Sequence, residues 1–275
     1  MKTVLSIQDL SCVGRCSLTV ALPVLSAMGC RCSVLPTAVL STHTGFPGPH
    51  VISLTDHIEA ISAHFSQLDL CFDAVTTGYL ANPREAQAVM PILRHYRQQG
   101  SLIIADPAMG DHGKLYRGLD ETHVNAMAEV CGCADILLPN VTEAALLTGL
   151  PYREQGDVAY WQELLDALLE KFPTTAVLIT GIRANADSIG FIGTHRQASP
   201  FTYQTAAVSR QFHGTGDLFA AVFAGGMLRE ESPEAAGIRA ADFVKACVAA
   251  TPEVTPHGVE FESQLHLLFS ETAVS

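Results

Sequence analysis

The stretch Phe212-His213-Gly214-Thr215-Gly216-Asp217-Leu218-Phe219-Ala220-Ala221 combines two glycines, one carboxylate and an apolar run. The glycines permit a tight turn with close backbone approach, and the apolar run predicts a helix over Gly216 to Met227. The free amides at that helix start favour an anion such as a transferring phosphoryl group. Asp217 in the first turn can accept a proton from a substrate hydroxyl. The stretch alone leaves two interpretations open, a phosphoryl-transfer site and an ordinary helix start after a glycine turn.

Short β-branched runs alternate with longer amphipathic runs on both sides of this stretch. Each short run is bounded by glycine, proline or a polar residue, which favours strands buried on both faces of a sheet. The alternation predicts right-handed βαβ units and an α/β fold, with a mainly parallel sheet that carries helices on both faces. The predicted strands are Thr3 to Ile7, Cys32 to Val39, Asp73 to Thr77, Leu102 to Ala105, Ile136 to Leu138 and Ala176 to Thr180. Two sets of apolar residues have the spacing of one helix face. The first is Ala86, Val89, Met90 and Leu93, and the second is Trp161, Leu164, Leu165 and Leu168.

The remaining segments complete one domain over residues 1–275. Ser188 to Thr194 and Ala198 to Thr205 are typical of a hairpin, so we expect part of the sheet to be antiparallel. Gly14 to Met28 is predicted to be a helix, as are the closing segments Pro233 to Ala250 and Glu262 to Phe269. Asp157 is a candidate N-cap for the helix that carries Trp161. No linker, charge run or repeat divides the chain.

Composition and charge argue against several classes of protein. Hydrophobic residues make up 48% and charged residues 16% of the chain, a balance that favours a substantial core over disorder. The formal net charge of −12 repels a phosphate backbone or an anionic membrane surface, so we expect neither nucleic acid nor a membrane as partner. No apolar run reaches the roughly 20 residues of a membrane span, and no signal-peptide pattern is present, so we expect a cytoplasmic protein. Its eight cysteines are then expected to be reduced core residues.

Two further polar segments follow predicted strands, the position where sheets of this kind bind ligands. Asp106 and Asp111 follow the strand Leu102 to Ala105 and offer two carboxylates that suit Mg²⁺. Asn140 and Glu143 follow Ile136 to Leu138, and Glu143 opens a helix. The alternatives are an Asp-Pro turn for the first segment and a helix-start glutamate favoured by the dipole for the second.

A third group of small polar and aromatic side chains suits a flat heterocycle, but taken alone it is better explained by loop polar groups and a core tyrosine. The chain lacks a P-loop, a G-x-G-x-x-G after the first strand, and a G-x-S-x-G elbow. Those absences argue against P-loop enzymes, dinucleotide-binding proteins and α/β-hydrolases. The residues of the third group are His43, Thr44 and Gly45 within Ser41 to Phe46, and Tyr79.

Together and in this order, the segments resemble the ribokinase-like superfamily, most closely its pyridoxal kinase branch. The resemblance runs from Ser6 to about Ala221. Gly-Thr-Gly-Asp-Leu-Phe-Ala-Ala is highly specific, and Asp-Pro-x-Met-Gly, Pro-Asn-x-x-Glu and Ser-x-His-Thr-Gly-Phe add weight. The resemblance implies a three-layer α/β/α sandwich and a kinase that phosphorylates the 5′-hydroxymethyl group of pyridoxal, pyridoxamine or pyridoxine with ATP.

The same resemblance implies roles for individual residues. Asp217 would be the catalytic base, and the amides of Gly214, Thr215 and Gly216 the anion hole. Implied substrate-binding positions are Asp9, His43, Thr44, Gly45, Tyr79 and Asp217. Implied ATP-binding positions are Asp106, Asn140, Glu143, Thr180, Gly181, Val208, Ser209, Arg210 and Thr215. Implied metal positions are Asp106, Asp111 and Glu143, and Tyr116 falls in the segment that folds over ATP.

The resemblance also implies cofactors and partners. ATP is the co-substrate, Mg²⁺ is the metal, and a monovalent cation such as K⁺ is a further candidate. The partners are a vitamin B6 compound, ATP and a second copy of the chain in a homodimer.

Asp9 departs from the pattern of the pyridoxal kinase branch, which has a serine after Ile7-Gln8 that hydrogen-bonds the pyridine ring. An ionised carboxylate only accepts hydrogen bonds, so Asp9 would favour a protonated ring nitrogen or another donor. The preferred vitamer stays open. A hydroxymethylpyrimidine kinase is the enzyme alternative, although those relatives commonly have cysteine where Asp217 stands. A non-catalytic ligand-binding protein on the same fold is the third interpretation.

Overall fold

The computed structural model of the chain describes residues 1–195, 198–208, 210 and 212–269. The strands are β1 Thr3–Ser11, β2 Arg31–Leu40, β3 Val51–Ser53, β4 Ala74–Thr77, β5 Leu102–Ala105, β6 Gly110–Asp111, β7 Lys114–Leu115, β8 Ile136–Leu137, β9 Ala176–Ile182, β10 Ser188–His195 and β11 Phe201–Ala206. The helices are α1 Leu18–Ala27, α2 Thr55–Gln67, α3 Pro83–Gln98, α4 Glu121–Cys131, α5 Val141–Thr148, α6 Val158–Lys171, α7 Thr215–Leu228 and α8 Pro233–Ala250, followed by a 3₁₀ helix over Glu262–Leu268.

Nine of these strands form one sheet in the order β11-β10-β9-β8-β5-β4-β1-β2-β3. Strands β9, β8, β5, β4, β1 and β2 run parallel to one another. Antiparallel strands lie at both edges, β3 beside β2 and the hairpin β10–β11 beside β9. The mainly parallel sheet and the hairpin are therefore confirmed, and β6 and β7 form a separate two-stranded hairpin.

Two hydrophobic cores, one on each face of the sheet, hold the layers together. Successive residues of a strand point to opposite faces, so Ile103 packs in one core and Ile104 in the other. The first core gathers apolar side chains of α2 to α6, and the second gathers those of α1, α7, α8 and the 3₁₀ helix. This arrangement confirms the three-layer α/β/α sandwich.

The central parallel strands end in register at one edge of the sheet. Thr77 of β4 pairs with Ala105 of β5, and Ala105 pairs with Leu137 of β8. Ile7 of β1 pairs with Thr77 on the other side. In open α/β sheets this carboxyl edge is where ligands bind. The chain therefore brings to one edge the residues that follow these positions, which are Asp9, Gly78, Asp106 and Asn140.

Helix α1 begins at Leu18, so the predicted start at Gly14 is wrong. Gly14 has a φ of 113° and Ser17 a φ of 50°, and a right-handed helix does not contain such left-handed backbone. Residues 14–17 instead form a loop that leads into the helix. Strand β1 runs four residues beyond its predicted end, so Asp9 lies on a strand. The last predicted helix is a 3₁₀ helix, and β11 begins at Phe201 rather than at Ala198.

Three further predictions concern the N-cap of α6, the cysteines and membrane-spanning helices. Oδ1 of Asp157 accepts from the amide of Tyr160 at 2.9 Å, which confirms the N-cap of α6. All eight cysteines are free, but Cys12 and Cys71 are exposed, so the prediction of core cysteines is wrong for these two. None of the helices in the described ranges has the length and apolar character needed to cross a bilayer.

Candidate active site

Gly214 allows two chain segments to approach closely at the start of α7. Its φ is 88°, and a Cβ atom at this position would lie 2.1 Å from the carbonyl oxygen of Arg15. Glycine alone meets both conditions without strain. The helix begins at Thr215 and carries Asp217 in its first turn, so the predicted glycine turn and helix start are confirmed. Amides in a first turn have no acceptor within their own helix and can bind an anion.

Asp106 follows β5 directly and faces the first turn of α7. A Cβ atom on Gly216 would lie 3.9 Å from Oδ2 of Asp106, and Asp106 and Asp217 line the same small pocket. Burial and the charge of Asp217 raise the pKa of Asp106 to about 8. Burial raises the pKa of Asp217 to about 6, with a contribution from the charge of Asp9, while the backbone amide of Ser17 lowers it. A cation bound here would favour the ionised form of both carboxyl groups.

Asn140 and Glu143 form a capping box at the start of α5. Oδ1 of Asn140 accepts from the Glu143 amide at 2.9 Å, and Oε2 of Glu143 accepts from the Asn140 amide at 2.8 Å. Oε1 of Glu143 also accepts from the amide of Met109 at 3.1 Å, and Nδ2 of Asn140 donates to the carbonyl of Gly110 at 2.8 Å. The capping box thus ties α5 to the segment that carries Asp106. Burial, and next the charge of Asp106, raise the pKa of Glu143 well above its ordinary value.

Asp111 lies on the hairpin β6–β7 and is exposed to solvent. Its Oδ1 accepts from the amide of His112 at 2.8 Å, and its side chain is 57% exposed. Across the described part of the chain, no three His, Cys, Asp or Glu side chains gather into a metal-holding group. Asp106 and Glu143 still fit Mg²⁺, because this ion takes few carboxylates and fills its other positions with water and phosphate oxygens. The structure therefore brings together two of the three predicted metal residues.

Thr180 and Gly181, assigned to ATP, lie near the end of β9 and beside the capping box. The amide of Thr180 donates to the carbonyl of Pro139 at 2.9 Å, and Thr180 forms an isolated parallel bridge with Asn140. Gly181 has a φ of 72°, which glycine adopts without strain. This pair therefore continues the row of strand ends past Asn140.

The segment 208–210, also assigned to ATP, precedes α7. Val208 packs against the second core, and Nη1 of Arg210 donates to the carbonyl of Thr251 at 2.7 Å. Ser209 lies outside the described residues. The guanidinium of Arg210 is thus already engaged by the backbone that follows α8.

His43 is buried and uses both of its ring nitrogens to hold a loop. The amide of Gly45 donates to Nδ1 at 3.0 Å, so the proton is assigned to Nε2, which donates to the carbonyl of Pro256 at 3.0 Å. Burial lowers the pKa of His43 and favours the neutral ring. His43 therefore fixes the loop that presents Thr44 and Gly45, which are both exposed.

Asp9 is buried on β1 between two serines that sequence reasoning did not identify. Its Oδ1 accepts from Oγ of Ser17 at 2.5 Å, and its Oδ2 accepts from Oγ of Ser11 at 3.3 Å. Burial raises the pKa of Asp9, and the two serine hydroxyls act against that rise. Burial and the charge of Asp9 raise the pKa of Tyr79 to about 12, so Tyr79 is a neutral phenol at physiological pH. No motif in the sequence marks these serines.

Gln8 is a third residue that the sequence patterns did not assign to the site. It lines the small pocket together with Gly78, Asp106 and Asp217. A Cβ atom on Gly78 would lie 2.4 Å from Oε1 of Gln8, so the glycine makes room for the amide. The ring of Tyr79, next along the chain, lies 6.4 Å between centroids from that of Tyr116.

These parts together suit the transfer of a phosphoryl group to a hydroxyl. Free amides at the start of α7 can bind the transferred group, and Asp217 in the same turn can accept the hydroxyl proton. Asp106 and Glu143 supply negative charge for a cation. Tyr79 offers an aromatic ring near enough to Asp9 for the charge of Asp9 to raise its pKa.

Comparisons with known proteins agree with this chemistry. Residues 21–260 match the protein family described as phosphomethylpyrimidine kinase. Pyridoxal kinase PdxY of Burkholderia lata is 30% identical over 94% of this chain and 92% of its own length. A crystal structure from Bacteroides thetaiotaomicron, described as a candidate phosphomethylpyrimidine kinase and determined with pyridoxal, is 36% identical, with a TM-score of 0.92 over 97% of this chain and 95% of that chain. Pyridoxal kinase of Lactobacillus plantarum is 34% identical, with a TM-score of 0.87 over 98% of this chain and 96% of that chain.

Proposed function

This chain belongs to the phosphomethylpyrimidine kinase family of the ribokinase-like superfamily and is a kinase, and we propose that it uses ATP to phosphorylate the 5′-hydroxymethyl group of pyridoxal, pyridoxamine or pyridoxine. The observation that carries the proposal is the place of Asp217, in the first turn of α7 and in one pocket with Asp106. The likeness to the pyridoxal kinases of Burkholderia lata and Lactobacillus plantarum supports the acceptor.

In the proposed mechanism, Asp217 takes the proton of the primary hydroxyl as the hydroxyl oxygen attacks the γ-phosphorus of ATP. The O–P bond to the acceptor forms, the bond to the β–γ bridging oxygen breaks, and ADP leaves with that oxygen. Amides of Gly214, Thr215 and Gly216 stabilise the charge that spreads over the transferred group. Asp106, with Glu143 nearby, would hold Mg²⁺, and the ion would supply positive charge to the phosphates.

The acceptor end is formed by other residues in the same proposal. Asp9 accepts a hydrogen bond from the ring, Tyr79 stacks on it, and the loop fixed by His43 brings Thr44 and Gly45 to it. The segment 111–118, with the exposed Tyr116, closes over ATP and excludes water that would otherwise accept the phosphoryl group.

A hydroxymethylpyrimidine kinase is the second candidate function. The name of the matched family favours it, as does the description of the Bacteroides thetaiotaomicron protein. Both acceptors carry a hydroxymethyl group on a flat nitrogen heterocycle, so Asp217 and α7 serve either reaction. Asp217 in the place where those relatives commonly have cysteine favours the vitamin B6 compounds.

ADP release, measured with ATP, Mg²⁺ and each acceptor in turn, tests the proposal. The acceptors are pyridoxal, pyridoxamine, pyridoxine and hydroxymethylpyrimidine. We expect the highest kcat/KM with one of the three vitamin B6 compounds. Turnover of hydroxymethylpyrimidine alone would support the second candidate, and binding of a vitamer without ADP release would support a non-catalytic protein.

The resemblance also supports proposals about assembly and setting. We propose that residues 1–275 act as one kinase domain, since nine strands, which include the first strand β1 and the last strand β11, share one sheet. We propose a homodimer, and the exposed Val51 and Ile52 on edge strand β3 offer apolar surface for it. We propose a cytoplasmic location, where thiols stay reduced, and the eight free cysteines agree with it. Light scattering during size-exclusion chromatography measures the assembly, and a monomer at micromolar concentration would contradict the homodimer.

A further inference from the structure

Ser17 lies near the two carboxyl groups that the proposed function places at opposite ends of the acceptor. Its Oγ donates to Oδ1 of Asp9 at 2.5 Å. Its backbone amide faces the carboxyl group of Asp217 and lowers the pKa of that group. One residue therefore hydrogen-bonds the proposed ring-binding carboxylate and acts electrostatically on the proposed base.

The backbone of Ser17 is unusual for a residue that is not glycine. Its φ is 50° and its ψ is −128°, and its side chain is buried with 4% exposure. Left-handed backbone costs a serine of order 1–3 kcal/mol and persists only where the surroundings fix it. Ser17 also stands directly before α1, where its side chain makes no capping hydrogen bond to that helix. The Ser17 hydroxyl thus donates to Asp9 and does not cap helix α1.

We propose that Ser17 is a positioning residue, which orients Asp9 toward the ring of the acceptor and keeps it in a fixed relation to Asp217. This inference rests on the proposed function, because it takes Asp9 to contact the acceptor ring. Oδ1 of Asp9 receives the short bond from Ser17, and Oδ2 receives the longer bond from Ser11 at 3.3 Å. A carboxylate has about four lone-pair sites, so lone pairs remain for an N–H or O–H donor of the acceptor.

The hydrogen bonds to Asp9 indicate which class of acceptor can bind there. Ser17 and Ser11 donate to Asp9, so they favour its ionised, acceptor-only form. An ionised Asp9 selects a heterocycle that presents a ring N–H or a phenolic O–H, and it disfavours one that presents only an unprotonated ring nitrogen. Loss of the Ser17 hydroxyl should therefore weaken acceptor binding while the amide that faces Asp217 is kept.

Two substitutions separate the hydroxyl from the backbone. Ser17→Ala and Ser17→Gly both remove the hydroxyl and keep the N–H, and glycine also adopts a φ of 50° without strain. With the best acceptor of the wild-type protein, we expect both variants to raise the KM of the acceptor about tenfold, the scale of a lost hydrogen bond to a charged group. We expect kcat to stay within about threefold and the KM of ATP to stay unchanged, because Asp217 and its amide partner remain.

Ser232→Ala is the matched control. Ser232 caps α8 through a hydrogen bond from the amide of Ala235 at 3.2 Å, outside the residues assigned to the site. We expect this variant to lower thermal stability without a change in either KM. Ser11→Ala, which removes the longer bond to Asp9, should raise the KM of the acceptor less than Ser17→Gly does.

A coupling measurement completes the test. If Ser17 acts through Asp9, Ser17→Gly should change the KM of the acceptor by less than about twofold when it is added to Asp9→Ser. An unchanged acceptor KM in folded Ser17→Gly would overturn the inference, as would an equal tenfold rise in the Asp9→Ser background. A wild-type protein that turns over no vitamin B6 compound would instead overturn the proposed function, and the two failures are therefore distinguishable.

Discussion

Asp106 and Asp217 line the same pocket, and the charge of Asp217 adds to burial in raising the pKa of Asp106 to about 8. Near pH 7 the pair therefore tends to retain a proton when no cation is bound. A bound Mg²⁺ would favour loss of that proton from Asp106 and leave its carboxylate free to hold the ion. The relationship couples the binding of a metal to the protonation state that the transfer requires.

The pKa of Asp217, raised to about 6, predicts a pH dependence. The base must be ionised, and a raised pKa means that the ionised form is lost as pH falls through about 6. At Mg²⁺ concentrations well below saturation we expect kcat/KM to be level above that pH and to fall below it, approaching tenfold per pH unit, and at saturating Mg²⁺ we expect the inflection to move to lower pH. Residual activity of Asp217→Asn should lack this inflection. A wild-type profile that is level from pH 7 to pH 5 would contradict the assignment.

Asp106→Asn tests the proposed metal position. The variant keeps the shape of the side chain and removes one negative charge next to the expected cation. We expect the Mg²⁺ concentration for half-maximal rate to rise about tenfold or more, since a charge at close range is worth at least ~1.4 kcal/mol in a protein. Asp111→Asn, on the exposed hairpin, should shift that concentration far less. Equal shifts for the two variants would argue for a site that includes Asp111.

Glu143→Ala should destabilise the fold because it leaves the amides of Met109 and Asn140 without their acceptor. An unpaired buried amide costs about 1–3 kcal/mol, and we expect a loss of that order in the free energy of unfolding from urea titration. Glu163→Ala, at an exposed position of α6, is the control and should change it by less than about 0.5 kcal/mol. A similarly small change in the free energy of unfolding for both variants would mean that the capping box contributes little to stability.

Gly214→Ala tests the close approach at the start of α7. The new Cβ atom would meet the carbonyl oxygen of Arg15 and also occupy a left-handed backbone. Gly29→Ala has the second problem alone, because Gly29 has a φ of 80° with no atom within 4 Å of the new Cβ atom. We expect Gly214→Ala to lower the melting temperature several degrees more than Gly29→Ala does. Equal losses would show that backbone strain, and not the contact with Arg15, sets the cost.

The strands that carry the site could be predicted because they are buried on both faces. Runs such as Leu102 to Ala105 are apolar from end to end, and each stops where a polar residue or glycine begins. The polar residues that follow, Asp106 and Asn140, then had to lie at the carboxyl edge. The capping box of Asn140 and Glu143 follows from local spacing in the same way.

The loop before α1, and the segment after β2 that contains β3 and α2, could not be predicted from such patterns. Ser17 has left-handed backbone with a φ of 50°, its hydroxyl donates to Asp9 and its amide faces Asp217 from the far end of the chain, and a serine carries no local sign of this. Helix α2 buries a single residue, Ile58, so its apolar stripe is too weak to mark a helix. The role of His43 as a loop anchor likewise depends on Pro256, from the far end of the chain.

The most direct test of the account is the product formed from pyridoxal, ATP and Mg²⁺ by the wild-type protein and by Asp217→Asn, followed by mass spectrometry. We expect the wild type to form pyridoxal 5′-phosphate and ADP in equal amounts. We expect Asp217→Asn to keep its melting temperature and to form the same product about 10²- to 10⁴-fold more slowly. A folded Asp217→Asn with near-normal turnover, or a wild type that forms no phosphorylated vitamer, would contradict the account.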